Sequence, residues 1–167
     1  MTIFQRFAAA LEHSPAYRSL LYLWGHLPIP KPVRWAIMWM GIQKYLVGVS
    51  AVVLNERNEV LLFKHTYRTD FDWGLPGGWL KFGEHPARAV EREICEESGM
   101  RVAISHPIYV NQRPDYPHLE VIHIGRWVSG DFRPSPEVSE GRFFTREELP
   151  PIYPEVLAVL EAVWENK

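Results

Sequence analysis

The segment His85-Pro86-Ala87 through Gly99, HPARAVEREICEESG, limits the possible folds more than any other part of this chain. Pro86 suits the first position of a helix, where its missing N–H would have had no partner, and His85 stands where a cap belongs. Gly99 stands where a left-handed residue closes a helix. The spacing therefore predicts a helix over about 86–98, with Ala87, Val90 and Ile94 turned toward a core. On that helix Glu93, Glu96 and Glu97 sit at i, i+3 and i+4, within an arc of roughly 100°. The last helical turn carries partial negative charge and favours cations, so each acid is at the unfavourable end. Carboxylates about 6 Å apart repel by about 3 kcal/mol per pair at an effective dielectric of about 20, before screening. A solvated acidic face softened by Arg88 and Arg92 is one way to tolerate this. A hard divalent cation with oxygen ligands is the other, because it turns repulsion into coordination.

Just upstream, Pro76, Gly77 and Gly78 allow a sharp bend and let a carbonyl approach a metal or phosphate without side-chain hindrance. Glu84 adds a fourth carboxylate before the helix, and Arg92 is placed to hold Glu93 by charge-assisted hydrogen bonds. Around this centre the chain reads as strands: YLVGVSAVVLN, the turn NERNE, and VLLFKHTY, then RVAISHPIYVNQ, LEVIHIGRWVSG and GRFFT. The tail PEVLAVLEAVWENK starts at Pro154 and puts Val156, Val159, Leu160 and Val163 on one side of a closing helix. The expectation is a mixed sheet covered by helices on both sides.

Residues 1–44 have a different texture. Ile3, Phe4, Phe7, Ala8 and Leu11 recur at helical spacing, as do Tyr17, Leu20, Leu21 and Leu23. PIPKP breaks the pattern, and VRWAIMWMGIQ predicts one more short helix. The expected organisation is a helical N-terminal extension at 1–44 and a core domain at 45–167. Trp24, Trp35, Ile37, Met38, Trp39 and Met40 are too much apolar surface to leave wet, so packing or a homodimer is expected. The rival is a lipid-facing patch flanked by Arg34 and Lys44.

Composition narrows the function. With 18 basic and 20 acidic residues and no run of lysines or arginines, the chain lacks the electrostatic footprint of a protein that binds long nucleic acid. The single Cys95 excludes an intrachain disulfide and suits a reducing compartment; it reads as a small helix residue. The first residues lack the pattern of a signal peptide, and no stretch reaches the roughly 18 uncharged apolar residues of a membrane span. The expectation is a cytoplasmic protein with no membrane partner.

These residues also match a known pattern, G-x5-E-x7-R-E-U-x-E-E-x-G-U with U bulky and apolar. Here it is Gly78, Glu84, Arg92, Glu93, Ile94, Glu96, Glu97, Gly99 and Met100. Chance would give such a window with a probability on the order of 10⁻⁸ or less. The chain from about 45 to 166 thus resembles a Nudix hydrolase, and the resemblance implies an α/β/α sandwich around a mixed β-sheet and hydrolysis of a nucleoside diphosphate linked to another moiety. It further implies that Glu93, Glu96 and Glu97 hold Mg²⁺ or Mn²⁺, with the Gly77 carbonyl as a further ligand. Glu93 is then also a candidate for activating water, with Arg92 orienting it, while Gly78, Glu84 and Gly99 shape the motif. Some relatives take a general base from a late loop; SPEVSEGRFF offers Glu137 and Glu140, of which Glu137 is preferred.

Substrate markers are mixed. Tyr116, sixteen positions past Met100, resembles diadenosine polyphosphate hydrolases, whereas Pro114 and Pro117 nearby resemble ADP-ribose pyrophosphatases. Trp73, Tyr116, Trp127 and Phe132 are candidates for stacking on a base, with packing as the alternative for each; Trp73 and Tyr116 are the two chosen as substrate-binding residues. No two histidines have helical metal-ligand spacing, and His65, His106, His118 and His123 read as surface or strand residues. The favoured function is cleavage of ADP-ribose or a nucleotide sugar. Dinucleoside polyphosphate or (d)NTP hydrolysis, or a non-catalytic ligand-binding module, are the alternatives.

Overall fold

The computed structural model describes residues 15–112 and 114–165. The chain separates into two compact units, Met1–Lys44 and Tyr45–Lys167.

In the first unit, α1 spans Pro15–His26 and α2 spans Lys31–Gly41. Pro28 and Pro30 fall between them and stop α1 from continuing. The α2 helix begins with Pro at its first turn and ends at Ile42, whose N–H donates to the Met38 carbonyl at 3.0 Å. None of its residues is buried. The helical spacing over residues 3–11 lies outside the described residues.

The second unit is built on seven strands: β1 Leu46–Leu54, β2 Val60–His65, β3 Trp73–Gly74, β4 Gly77–Trp79, β5 Arg101–Gln112, β6 His118–Ser129 and β7 Val138–Phe144. They form one mixed sheet in the order β3-β2-β1-β6-β5, with β4 also on β1 and β7 also on β2. Its central ladder is parallel and runs from Leu46↔His118 to Leu54↔Arg126; the other pairings are antiparallel. The turn NERNE closes the β1–β2 hairpin because the Asn55 side-chain oxygen accepts from the N–H groups of Arg57 and Glu59, at 2.9 and 3.0 Å. Asn58 takes the left-handed φ of 61° that asparagine tolerates.

Nearly all of β1 is buried, because each of its faces is covered. Val49, Ala51 and Val53 point to one side, where helix α3 (Pro86–Ser98) packs through Ala89, Val90 and Ile94. Val52 and Leu54 point to the other, where helix α4 (Pro154–Glu165) packs through Val159 and Leu160. This is the layered α/β/α sandwich expected for the chain. Among the described residues no helix is long and apolar enough to cross a membrane.

One strand residue carries a pH signature. His65 in β2 is buried, and burial first, then the Arg68 charge, lowers its pKa to about 4. An unfolded chain takes up that proton near pH 6.5, so stability is lost as pH falls from about 6.5 to about 4. Over that window the loss is at most about 3 kcal/mol. His65→Leu is expected to flatten the fall in melting temperature across it. Thermal melts that keep their full acid slope in this variant would assign the slope to other groups.

Candidate functional site

The α3 helix sets the site. The Ala87 N–H donates to His85 Nδ1 at 3.3 Å, and Gly99 closes the other end at φ 73° with its N–H on the Cys95 carbonyl at 2.9 Å. With Ala89, Val90 and Ile94 fixed in the core, the rotation of the helix buries Glu97 and leaves Glu96 outward.

Arg92 organises the carboxylates around it. Its Nε and Nη2 donate to the two oxygens of Glu84 at 2.8 and 2.9 Å, a fork on a fork. Nη1 donates to Glu93 at 2.7 Å and to Glu96 at 3.1 Å, and Nη2 reaches the Trp79 carbonyl at 3.3 Å. One guanidinium thus ties the loop after β4 to the helix. The hydrogen bonds from Arg92 pull the Glu84 carboxyl below its usual range, and Glu84 first, then Glu93, raises the Arg92 pKa.

The glycines of LPGGW are needed for contact rather than for flexibility. A side chain on Gly78 would strike the Glu93 carboxyl carbon at 2.5 Å, so its absence gives Glu93 its place. A side chain on Gly77 would meet the Val49 carbonyl and the Ser50 backbone, because β4 lies tightly against β1.

Glu97 is the anomaly. It is buried, and its Oε2 is without a hydrogen-bond partner. Burial first, then the charges of Glu93 and Glu137, pushes its pKa up to about 8, against the opposing charge of Arg68. The structure therefore brings Glu137 within electrostatic reach of the helix acids, whereas Glu140 is tied to Lys64 at 3.2 Å. Among the described residues no three acidic, His or Cys side chains gather into a metal cage; Arg92 occupies Glu93 and Glu96 instead. An orphaned, buried carboxylate oxygen surrounded by further carboxylates has the chemistry that a hard cation satisfies.

A cavity of about 370 Å³ adjoins this cluster. Gly77, Gly78 and Arg68 line one end, bordering the acids. The other end is aromatic: Tyr116 stacks on His118 with ring centres 5.6 Å apart, and Trp79 meets the same imidazole edge to face at 5.3 Å. Its floor is polar, because Ser50 donates to Glu120 at 2.6 Å and His118 Nε2 lies 3.4 Å from the same carboxylate. Gly48 leaves the room these two side chains take. Asn111, in register with Glu120 on the next strand, adds an amide to the lining.

A family model described as the NUDIX domain matches residues 44–162. The chain belongs to the Nudix family. Among curated Nudix relatives, a Bacillus subtilis (strain 168) protein with the provisional name 8-oxo-dGTP diphosphatase is 39% identical over 87 residues, 52% of this chain and 56% of its own length. The NAD-capped RNA hydrolase NudC of Escherichia coli O157:H7 is 27% identical over 161 residues, 91% of this chain and 62% of its own. The chain thus spans only 56% and 62% of these two relatives. Among solved structures, an ADP-ribose pyrophosphatase from Streptococcus suis 89-1591 superposes with a TM-score of 0.60 at 27% identity, covering 72% of this chain and 92% of that one.

Within this Nudix domain Gly77, Gly78 and Tyr116 line the cavity. Trp73 does not. It is buried against Phe144 on β3, with ring centres 5.0 Å apart, and serves the core on the α4 side. Trp127 and Phe132 likewise pack on the α3 core. Ser50, His118, Glu120 and Asn111 were missed, because the face they share is created by pairing strands some seventy residues apart.

Proposed function

We propose that the Nudix unit hydrolyses the pyrophosphate bond of a nucleoside diphosphate linked to another moiety, ADP-ribose or a nucleotide sugar being favoured. The observation that carries this reading is the unpartnered carboxylate oxygen of Glu97 beside a cavity with an aromatic far end. Glu93, Glu96 and Glu97 would hold Mg²⁺ or Mn²⁺, with the Gly77 carbonyl as a further ligand, and a bound divalent ion would supply charge neutralisation for the pyrophosphate and a lowered pKa for water. Arg92 fixes Glu93 through the 2.7 Å hydrogen bond, and Glu137 is the candidate to take the proton from water. Arg68 lines the same end of the cavity as Gly77 and Gly78 and would offer a cation to the diphosphate. Tyr116, His118 and Trp79 accept the base, for which aromatic faces are suited. The names of the relatives, a diphosphatase, a capped-RNA hydrolase and an ADP-ribose pyrophosphatase, support this class of reaction.

A panel of ADP-ribose, sugar nucleotides, dinucleoside polyphosphates, NADH and (d)NTPs tests it. The expected result is strongest turnover on ADP-ribose or a sugar nucleotide, abolished by EDTA and restored by Mg²⁺. Undiminished hydrolysis in excess EDTA removes the metal from the reading. Tight binding of a panel member with no turnover would make the domain a ligand-binding module.

A further inference from the structure

The first unit contains a helix with its apolar face on the outside. In α2 the half-buried residues are Arg34, Ile37 and Gly41, which share one side at i, i+3 and i+7. The opposite side carries Trp35 and Trp39, about 40° apart around the axis, with Ala36 and Met40 next to them. Trp35 is 67% exposed, Trp39 62% and Met40 74%. An ordinary surface helix has the reverse arrangement, and an exposed apolar patch of this kind marks a surface that another phase or partner covers.

The charges around the patch select its occupant. Residues 1–44 hold five basic residues and one acidic one, Glu12, while residues 45–167 hold 13 basic and 19 acidic. Between Pro15 and Lys44 there is no acidic residue at all. The cations sit beside the aromatic rings: Lys44 lies over Trp39 at 5.3 Å and Arg34 over Trp24 at 5.7 Å, with Lys31 exposed at the start of the helix. A two-fold pairing of this face with its copy would bring the cations of one segment to those of the other, with no acid between Pro15 and Lys44 to answer them. Tryptophans flanked by lysine and arginine suit the boundary between lipid headgroups and acyl chains, and anionic headgroups supply the missing negative charge.

We propose that α2 docks this protein on an anionic lipid surface, lying flat with Trp35, Trp39 and Met40 in the headgroup–acyl boundary. The docking is peripheral, since an 11-residue helix cannot span a bilayer. Arg34 is held inside the unit by its hydrogen bond to the Leu27 carbonyl at 3.3 Å, so Lys31 and Lys44 are the residues that meet the headgroups.

Flotation of the full-length chain with vesicles of phosphatidylcholine alone, and of phosphatidylcholine mixed with phosphatidylglycerol, tests the proposal. The full chain is expected to float with the mixed vesicles, to stay in the soluble fraction with the neutral ones, and to be released by high salt. Trp35→Ser/Trp39→Ser should stay in the soluble fraction. Lys31→Glu/Lys44→Glu should lower the partition by on the order of tenfold or more. Circular dichroism melts matching the parent show that the variants are folded, and a single variant, Trp39→Ser, replaces the pair if the double variant is not. Failure to float with anionic vesicles overturns the proposal. So does equal binding to both vesicle types. A soluble dimer by light scattering that the tryptophan substitutions dissolve, without flotation, would assign the face to a second copy instead.

Discussion

Glu97→Gln is expected to lower kcat on the preferred substrate on the order of a thousandfold, while making the metal-free protein more stable at alkaline pH. The first effect follows if the Glu97 carboxylate holds a divalent cation: its loss removes a charge worth several kcal/mol in the transition state, and each 1.4 kcal/mol or so is a factor of ten. The second follows from burial. With its pKa raised to about 8 from an ordinary 4.5, the folded chain keeps a proton that the unfolded chain releases. The Glu97 contribution to the stability of the metal-free protein therefore falls as pH rises from about 4.5 to about 8. The amide has no such charge to bury, so the variant should lack this alkaline fall and melt higher than the parent by a few degrees at the upper end of that window. Adding Mg²⁺ should raise the melting temperature of the parent at pH about 8 and leave the variant unmoved. A variant that melts lower than the parent at every pH and retains its turnover would make Glu97 a structural residue.

Arg92→Ala is expected to act on both stability and catalysis. It removes the fork on Glu84, the bond to Glu93 and the bond to Glu96, leaving three carboxylates without their common cation. A destabilisation of about 2 kcal/mol is expected, below the cost of breaking a fully buried pair because the cluster is partly solvated. A residue that orients a reacting group through another typically changes activity by about 10- to 100-fold, and that is the expected loss of kcat. Arg92→Lys should recover stability better than activity, because a point charge replaces the field but not the geometry of the fork. Equal recovery of both would mean that Arg92 acts through charge alone.

Much of this was legible before any coordinates. The helix was readable to the residue, because its caps are local: Pro86 and Gly99 act through their own backbone and need no distant partner. The hairpin turn was readable for the same reason, through Asn55 and Asn58. The motif fixed the family, and the sheet followed as a layered sandwich. What stayed hidden depends on pairing across the sequence. Ser50 and Glu120 look unrelated in the chain, and only the parallel ladder of β1 with β6 makes them neighbours. Trp73 was a candidate for stacking on its aromatic character alone; whether it faces the cavity or the core is set by the two-residue strand β3. The three helix acids were readable as neighbours, but their different fates were not. Burial of Glu97 and exposure of Glu96 come from how far the core rotates the helix.

The central ladder has one more consequence, for the birth of the molecule. β1 is followed closely by its antiparallel partners β2 and β4, yet its parallel partner β6 begins some seventy residues later, so one edge of this apolar strand waits unpaired while α3 and β5 are made. Contacts of such sequence separation are slow to form, and the open edge of Val49–Leu54 is prone to join the wrong neighbour meanwhile. A nascent chain stalled before His118 has no way to complete this sheet. The order in which the ribosome delivers the strands therefore leaves one hydrophobic edge of the sheet open until nearly the last third of the domain is made.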